Sequence, residues 1–172
     1  MEKTKLQLYI GQTVIHKRIK EIASRINKDY HNKIPVFIGI LNGSFVFLSD
    51  LIREIKVNCE IDFLKLSSYG DSKISSGKVK VLKDLNCDLN GRDVIIVEDI
   101  VDSGLSMDLI LKQIKSQKPS SVKIASLLIK QSTPPLGFKI DYLGFRIEDK
   151  FIVGYGLDFA QKYRNLKGIY VL

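Results

Sequence analysis

The sequence predicts an α/β fold with a mainly parallel central sheet flanked by helices. Three observations lead there. Pro35–Leu41, Val94–Val97 and Val122–Ile129 are short runs that stay apolar throughout, as strands covered on both faces do, rather than alternating as half-buried strands do. The segments between them repeat apolar residues at helical spacing. Strands and helices that take turns along a chain assemble into a parallel sheet with covered faces.

Each element has its own justification. From Val14 to Tyr30, the residues Ile15, Ile19, Ile22, Ala23 and Ile26 recur at helical spacing with Lys, Arg and Glu between them, which describes an amphipathic helix. Pro35–Leu41 reads as a buried strand, Asn42-Gly43-Ser44 as a turn, and Leu48, Leu51, Ile52 and Ile55 as one face of a second helix. Glu60 to Leu66 favours a strand. Ser67 to Lys78 has no apolar period and many Gly and Ser residues, so it reads as a long, flexible active-site loop. Val79 to Leu82 returns as a short strand, and Lys83 to Arg92, with Asn90-Gly91, forms a turn. After the Val94–Val97 strand, Met107, Ile110, Leu111 and Ile114 mark a helix beginning near Met107. Val122–Ile129 is a buried strand that Thr133-Pro134-Pro135 cannot continue. Tyr142–Phe145, Phe151–Gly154 and Gly168–Leu172 read as strands, and Asp158–Arg164 as a loop or short helix.

Composition narrows the function classes. The 172 residues, 45% of them hydrophobic, suit one compact domain over 1–172 and leave no room for a second. The amino end, MEKTKLQLYI, lacks a signal-peptide core, and no apolar stretch is long enough to span a bilayer. The expectation is a cytoplasmic protein with no membrane partner. Cys59 and Cys87 form no CxxC, and with His16 and His31 they match no familiar zinc spacing, so both thiols are expected to be free. The formal charge of +8 attracts phosphate, but the lysines are scattered rather than clustered with aromatic residues. A small polyanionic substrate uses that field as well as a nucleic acid does, and a nucleic-acid partner is not expected.

The chemistry concentrates in Val94 to Met107, VIIVEDIVDSGLSM. A core strand ends in three carboxylates, Glu98, Asp99 and Asp102, at the rim of the sheet, where ligands of open α/β sheets bind. The turn Asp102-Ser103-Gly104-Leu105-Ser106 precedes a helix, whose exposed N–H groups suit a phosphate. The hydroxyls of Ser103 and Ser106 add donors, and Gly104 permits close approach. An ordinary serine N-cap explains that turn alone about as well. Glu98 and Asp99, with diverging side chains on an extended backbone, repel each other unless a cation or hydroxyls lie between them. The vicinal hydroxyls of a ribose, or Mg²⁺ bound to such a sugar, meet that need. Asp102, beside the phosphate turn, can take or share a proton with a reacting group. Neither a Walker loop nor a dinucleotide fingerprint is present.

This stretch resembles the phosphoribosyl-pyrophosphate (PRPP) motif of the purine/pyrimidine, or type I, phosphoribosyltransferases. LNGSFVFLSDL (41–51), SSYG (67–70), ASLLIK (125–130) and DKFIVGYGLDFAQKYRNL (149–166) extend the resemblance to the 6-oxopurine branch, the hypoxanthine and hypoxanthine-guanine phosphoribosyltransferases. It implies the type I phosphoribosyltransferase fold with a small hood formed by the chain termini, and association as a homodimer or homotetramer. It also implies Mg²⁺ as cofactor and PRPP and a 6-oxopurine base as substrates.

Position by position, the resemblance implies that Glu98 and Asp99 engage the ribose hydroxyls and Mg²⁺, and that Asp102 is the catalytic carboxylate facing N7 of the purine. Residues 102–106 hold the 5′-phosphate. Lys130 donates to O6, which favours a 6-oxo over a 6-amino purine. Phe151 stacks on the base, where a lone Phe in an apolar run would otherwise be read as core, and the backbone of Ile152 meets the base edge. Asp158 holds a second Mg²⁺ through water, and Arg164 reaches the pyrophosphate. Asn42 and Gly43 form the pyrophosphate turn, with Asn42 where the family pattern has Lys; the amide still donates but brings no charge. Leu105 stands where some relatives carry Lys and serves through its backbone N–H. Ser68 and Tyr69, in the loop, touch the pyrophosphate and close the site against water. Two rivals accompany this reading: a xanthine- or pyrimidine-using phosphoribosyltransferase, and a PRPP-sensing regulator of the same fold that binds nucleic acid. The regulator has no need of a base pocket built from Lys130, Phe151 and Asp158.

Overall fold

In the computed structural model, which describes residues 6–68 and 79–172, strand β1 (Gln7–Ile10) and helix α1 (Gln12–Asp29) lead into β2 (Val36–Leu41), α2 (Phe45–Glu54), β3 (Glu60–Ser68), β4 (Val79–Lys83), β5 (Asp93–Val101), α3 (Leu105–Ser116), β6 (Ser121–Lys130), β7 (Tyr142–Ile147), β8 (Ile152–Val153) and β9 (Ile169–Val171). Six of the strands form the central sheet in the order β4-β3-β2-β5-β6-β7. All its pairings are parallel except β3 with β4 at one edge.

The two faces of that sheet explain the unbroken apolar runs. Side chains alternate across a strand, and here both sides are covered. Phe37, Ile95 and Val97 face the layer of α1 and α2, packing with Ile15, Ile19, Ile22, Ile26, Phe47, Leu48 and Leu51. Val36, Ile38, Ile40, Val94 and Ile96 face the layer of α3, against Met107, Ile110, Leu111 and Ile114. A polar residue on either face of β2 or β5 would be stranded without water, at a cost of about 1–3 kcal/mol or more.

The carboxyl ends of β2, β5 and β6 lie together, since Val36 pairs with Val94 and Asp93 with Ser121. Asn42-Gly43, the Asp102–Ser106 turn and Lys130 therefore share one rim. Over it sits a second, antiparallel sheet of order β1-β9-β8, built from the two ends of the chain: the hood implied by the resemblance.

The structure corrects several expectations. Strand β1 was not expected from the sequence: Leu6, Leu8 and Ile10 alternate with Gln7 and Tyr9, but the run is short, its residues are exposed or half-buried, and its partner β9 defines it. Ser67 and Ser68 belong to β3, paired with Lys80 and Val79, not to the loop; residues 69–78, including Tyr69, lie outside the described residues. Strand β5 runs four residues beyond Val97, because Ile100 and Val101 continue the pairing with β6. Helix α3 starts at Leu105 rather than near Met107. Of the loop or short helix expected over Asp158–Arg164, the structure has the loop, a chain of turns with Ala160, Gln161 and Tyr163 all at positive φ.

Polar contacts fix the edges. Asp62, at the β4 side of the sheet, accepts from the N–H groups of Phe63 (2.7 Å), Asn86 (2.6 Å) and Cys87 (3.1 Å) and from Lys83 Nζ (3.0 Å). Burial alone would raise its pKa, but these donors outweigh it and hold the carboxyl far below the usual range. At the opposite edge, Arg18 of α1 donates to the carbonyls of Gly144 (2.9 Å) and Leu143 (3.0 Å) on β7, and Arg25 to that of Asp141 (2.9 Å). Cys59 and Cys87 are free. No described helix is long and apolar enough to cross a membrane.

Candidate active site

The turn after β5 is shaped by Gly104. It is the N-cap of α3 in the left-handed region (φ 80°), and a Cβ there would meet the Leu136 side chain at 2.5 Å, so two independent reasons require glycine. No side chain caps the helix; Ser103 Oγ lies a long 3.5 Å from the Leu105 N–H. The serine N-cap reading is thereby set aside. The first-turn N–H groups, which no carbonyl of the helix can satisfy, remain available to an anion. They open on a cleft of about 110 Å³ lined by Glu98, Asp102, Ser103, Gly104, Ser106 and Met107.

Glu98 and Asp99 both lie within β5, yet their carboxyls do not diverge fully. Glu98 curls back until its Oε1 accepts from the Asp99 N–H at 3.3 Å. Burial first, and the neighbouring Asp99 charge second, push the Glu98 carboxyl well above the ordinary range. Burial also raises Asp99, against the pull of the Glu98 hydrogen bond, the Ile100 N–H and the Arg164 charge. Two carboxyls so placed hold a proton between them unless a cation takes its place. Hard oxygen donors of this kind suit Mg²⁺, which is typically held by one or two carboxylates plus substrate oxygens. Among the described residues no group of three or more His, Cys, Asp or Glu side chains converges as a metal cage.

The Asn42-Gly43 turn meets this pair directly. A Cβ on Gly43 would collide with the Asp99 carboxylate, so only glycine lets the turn after β2 approach it. The Leu41–Asn42 peptide is cis, Asn42 is exposed, and the buried Ser44 closes the turn by donating from Oγ to the Ile40 carbonyl at 2.7 Å.

On the other side of the phosphate turn, Asp102 Oδ2 lies 3.0 Å from Lys130 Nζ; Asp102 is exposed and Lys130, at the end of β6, largely covered. Phe151 is 54% exposed and meets Phe159 edge-to-face, with ring centroids 5.6 Å apart, so it is not core. Ile152 is buried, its strand paired with β9. Asp158 is paired with Arg164 at 2.7 Å and accepts the Gln161 N–H, and Arg164 also donates to the Gly156 carbonyl at 2.8 Å. The sequence-predicted residues thus fall into three groups: Glu98 and Asp99 with Gly43, Asp102 with Lys130, and Asp158 with Arg164.

Sequence reasoning passed over two residues that join these groups. Gly156, at φ 96°, lies against the Gly43 carbonyl, where a Cβ would collide with it. Tyr155, buried and at φ 53°, donates its hydroxyl to Asp50 of α2 at 2.5 Å. The paired glycines of Gly154-Tyr155-Gly156 were the available signal, since they mark a backbone that must pass close to something.

The family model described as the phosphoribosyl transferase domain matches residues 9–160. A hypoxanthine-guanine phosphoribosyltransferase of Bacillus subtilis is 43% identical over 166 residues, covering 96% of this chain and 92% of its own. A crystal structure of a hypoxanthine-guanine phosphoribosyltransferase from Bacillus anthracis, with a HEPES molecule in its active site, superposes with a TM-score of 0.92 at 41% identity, over 98% of this chain and 99% of that one. A Trypanosoma cruzi hypoxanthine phosphoribosyl transferase, studied for the role of its C-terminal region in oligomeric state and activity, superposes with a TM-score of 0.91 at 36% identity, over 100% of this chain and 94% of that one.

Proposed function

This chain belongs to the phosphoribosyl transferase family, and from that premise we propose how its residues carry out the reaction of purine salvage: transfer of ribose 5-phosphate from PRPP to N9 of hypoxanthine or guanine, giving IMP or GMP and pyrophosphate. The observation that carries the assignment of roles is the Asp102–Lys130 pair, 3.0 Å apart, beside a phosphate-shaped turn.

The bond from the anomeric carbon to pyrophosphate breaks and the bond to N9 forms, with inversion at the anomeric carbon. Charge at that carbon resembles an oxocarbenium ion, as in other glycosyl chemistry. The N–H groups at the start of α3, with Ser103, Gly104, Leu105 and Ser106, hold the 5′-phosphate. Glu98 and Asp99 receive the ribose hydroxyls, and a cation held beside them would favour their charged forms. Glu98, Asp99 and Asp158 would hold Mg²⁺, which would supply neutralisation of the departing pyrophosphate. Asn42 and Gly43 present backbone donors to that group, and Arg164 contributes the charge that Asn42 lacks. Ser68, the last residue of β3, and Tyr69 after it are assigned to the pyrophosphate.

At the purine, Asp102 takes the proton or developing charge at N7 and Lys130 donates to O6. Phe151 offers its exposed ring to the base, and the Ile152 backbone reads its edge. Asp102 and Lys130 satisfy each other in the absence of a base, and at 3.0 Å they are close enough to serve the N7 and O6 edge of one purine together. The relatives above are hypoxanthine or hypoxanthine-guanine enzymes, which disfavours a xanthine- or pyrimidine-using enzyme and a nucleic-acid-binding regulator. The free thiols Cys59 and Cys87 suit a reducing, cytoplasmic setting. We further propose that residues 1–172 act as one phosphoribosyltransferase domain, working as a homodimer or homotetramer.

The test is product formation by the purified protein with PRPP and Mg²⁺, offered hypoxanthine, guanine, xanthine, adenine and uracil in parallel with an Asp102→Asn control. Turnover of hypoxanthine or guanine that collapses in the control is expected. Failure to turn over any base, with PRPP still bound, would overturn the reading in favour of a regulator.

A further inference from the structure

The segment that carries Phe151, Asp158 and Arg164 and the turn that carries Asn42 and Gly43 belong to different parts of the chain. The structure ties them through α2. Tyr155 lies in the first segment, is 3% exposed, and holds a positive φ of 53°. Such a backbone is strained for a non-glycine residue and persists only where its surroundings hold it. The Tyr155 N–H donates to the Leu166 carbonyl at 2.9 Å and its hydroxyl to Asp50 Oδ2 at 2.5 Å. Asp50 stands one and a half turns into α2, the helix that begins where the pyrophosphate turn ends. The same oxygen of Asp50 lies 3.2 Å from His16 Nε2 on α1. The next residue, Gly156, touches the Gly43 carbonyl itself. Two contacts, one through side chains and one through backbone, thus lock the purine-side segment to the pyrophosphate turn.

We infer that Asp50 and Tyr155 are positioning residues that couple the two halves of the site: ordering the segment around Phe151 with a base also sets the turn at Asn42-Gly43 for pyrophosphate, and the reverse. Neither residue is assigned to substrate. Tyr155 acts through Asp50 on α2, and His16 meets the same Asp50 oxygen at the wall of a cleft of about 330 Å³ that Lys20, Arg53 and Glu54 also line. A coupling of this kind is a free energy between two ligands and is reciprocal. The inference rests on the assignment of Asn42-Gly43 to pyrophosphate.

The experiment measures Mg²⁺–pyrophosphate affinity by calorimetry with and without 9-deazahypoxanthine, a base with carbon in place of the reacting nitrogen, for the wild type, Tyr155→Phe, Asp50→Asn and the double variant. The wild type should bind pyrophosphate more tightly with the base present. Tyr155→Phe should shrink that ratio by on the order of tenfold, the worth of one hydrogen bond to a charged group. The base's own affinity should stay within about twofold, and the double variant should be no worse than the worse single one, as expected of one shared contact. Variants that lose thermal stability but keep the wild-type ratio, or losses that multiply in the double variant, would overturn the coupling. Wild-type protein that binds no pyrophosphate would overturn the assignment of the turn, and the coupling with it.

Discussion

Asp102 and Lys130 can be separated by substitutions that keep shape and remove one property. Asp102→Asn keeps the volume and removes the charge that faces N7, so kcat should fall by the ~10²–10⁴-fold of a positioned acid-base group. KM for PRPP should move little, and steady-state kinetics check both. Lys130→Met keeps the apolar stem and loses the donor to O6. Hypoxanthine KM should rise by about tenfold or more, and the preference for hypoxanthine over adenine should narrow in a parallel assay of the two bases. Glu98 makes a prediction about pH. Its folded-state pKa lies above the unfolded one, so the protein loses stability as pH rises from the ordinary glutamate value, about 4.5, toward that raised value. Glu98→Gln should remove this loss, and Mg²⁺ with PRPP should raise Tm of the wild type more at pH 7 than at pH 5; thermal unfolding at the two pH values decides it.

At the scale of elements, legibility in the sequence followed burial. The strands β2, β5 and β6 were legible because both their faces are dry, and α1 because five apolar residues line one side of it. Strand β1 was not, since an exposed strand at the margin of a small sheet is defined by its partner rather than by its own composition. The end of β5 was underestimated for a related reason: Glu98 and Asp99 look like a loop in isolation, but β6 continues beside them and holds them extended. Of the site, the phosphate turn and carboxylates lay within one continuous motif. Tyr155 and Asp50 are 105 residues apart, and nothing local links a tyrosine between two glycines to an aspartate in a helix. Asp62 shows what such long-range polar contacts contribute. Its depressed pKa means a stabilisation present above about pH 4 and lost as pH falls through the lowered value. Asp62→Asn should therefore destabilise the protein by about 1–3 kcal/mol at neutral pH, with the difference from wild type shrinking in acid, as denaturant titrations at several pH values would record.

At the scale of the whole molecule, a formal charge of +8 works together with an acidic centre. In the proposed reaction the basic field would draw PRPP and pyrophosphate toward the rim, and Glu98, Asp99 and Asp102 would reserve the centre for the sugar, its cation and the base. Raising ionic strength should therefore raise KM for PRPP while leaving kcat nearly unchanged, which a salt series read by initial rates will test. Strand β7 ends the sheet on one side, and a bare edge invites a strand from another molecule. Arg18 and Arg25 reach across from α1 to its carbonyls at Leu143 and Gly144 and, just before it, at Asp141. The helix thereby occupies acceptors that a foreign strand would use and sets positive charge along its approach. Removing both arginines, which stand away from the carboxylate rim, should therefore show as turbidity in concentrated solution rather than as slower catalysis.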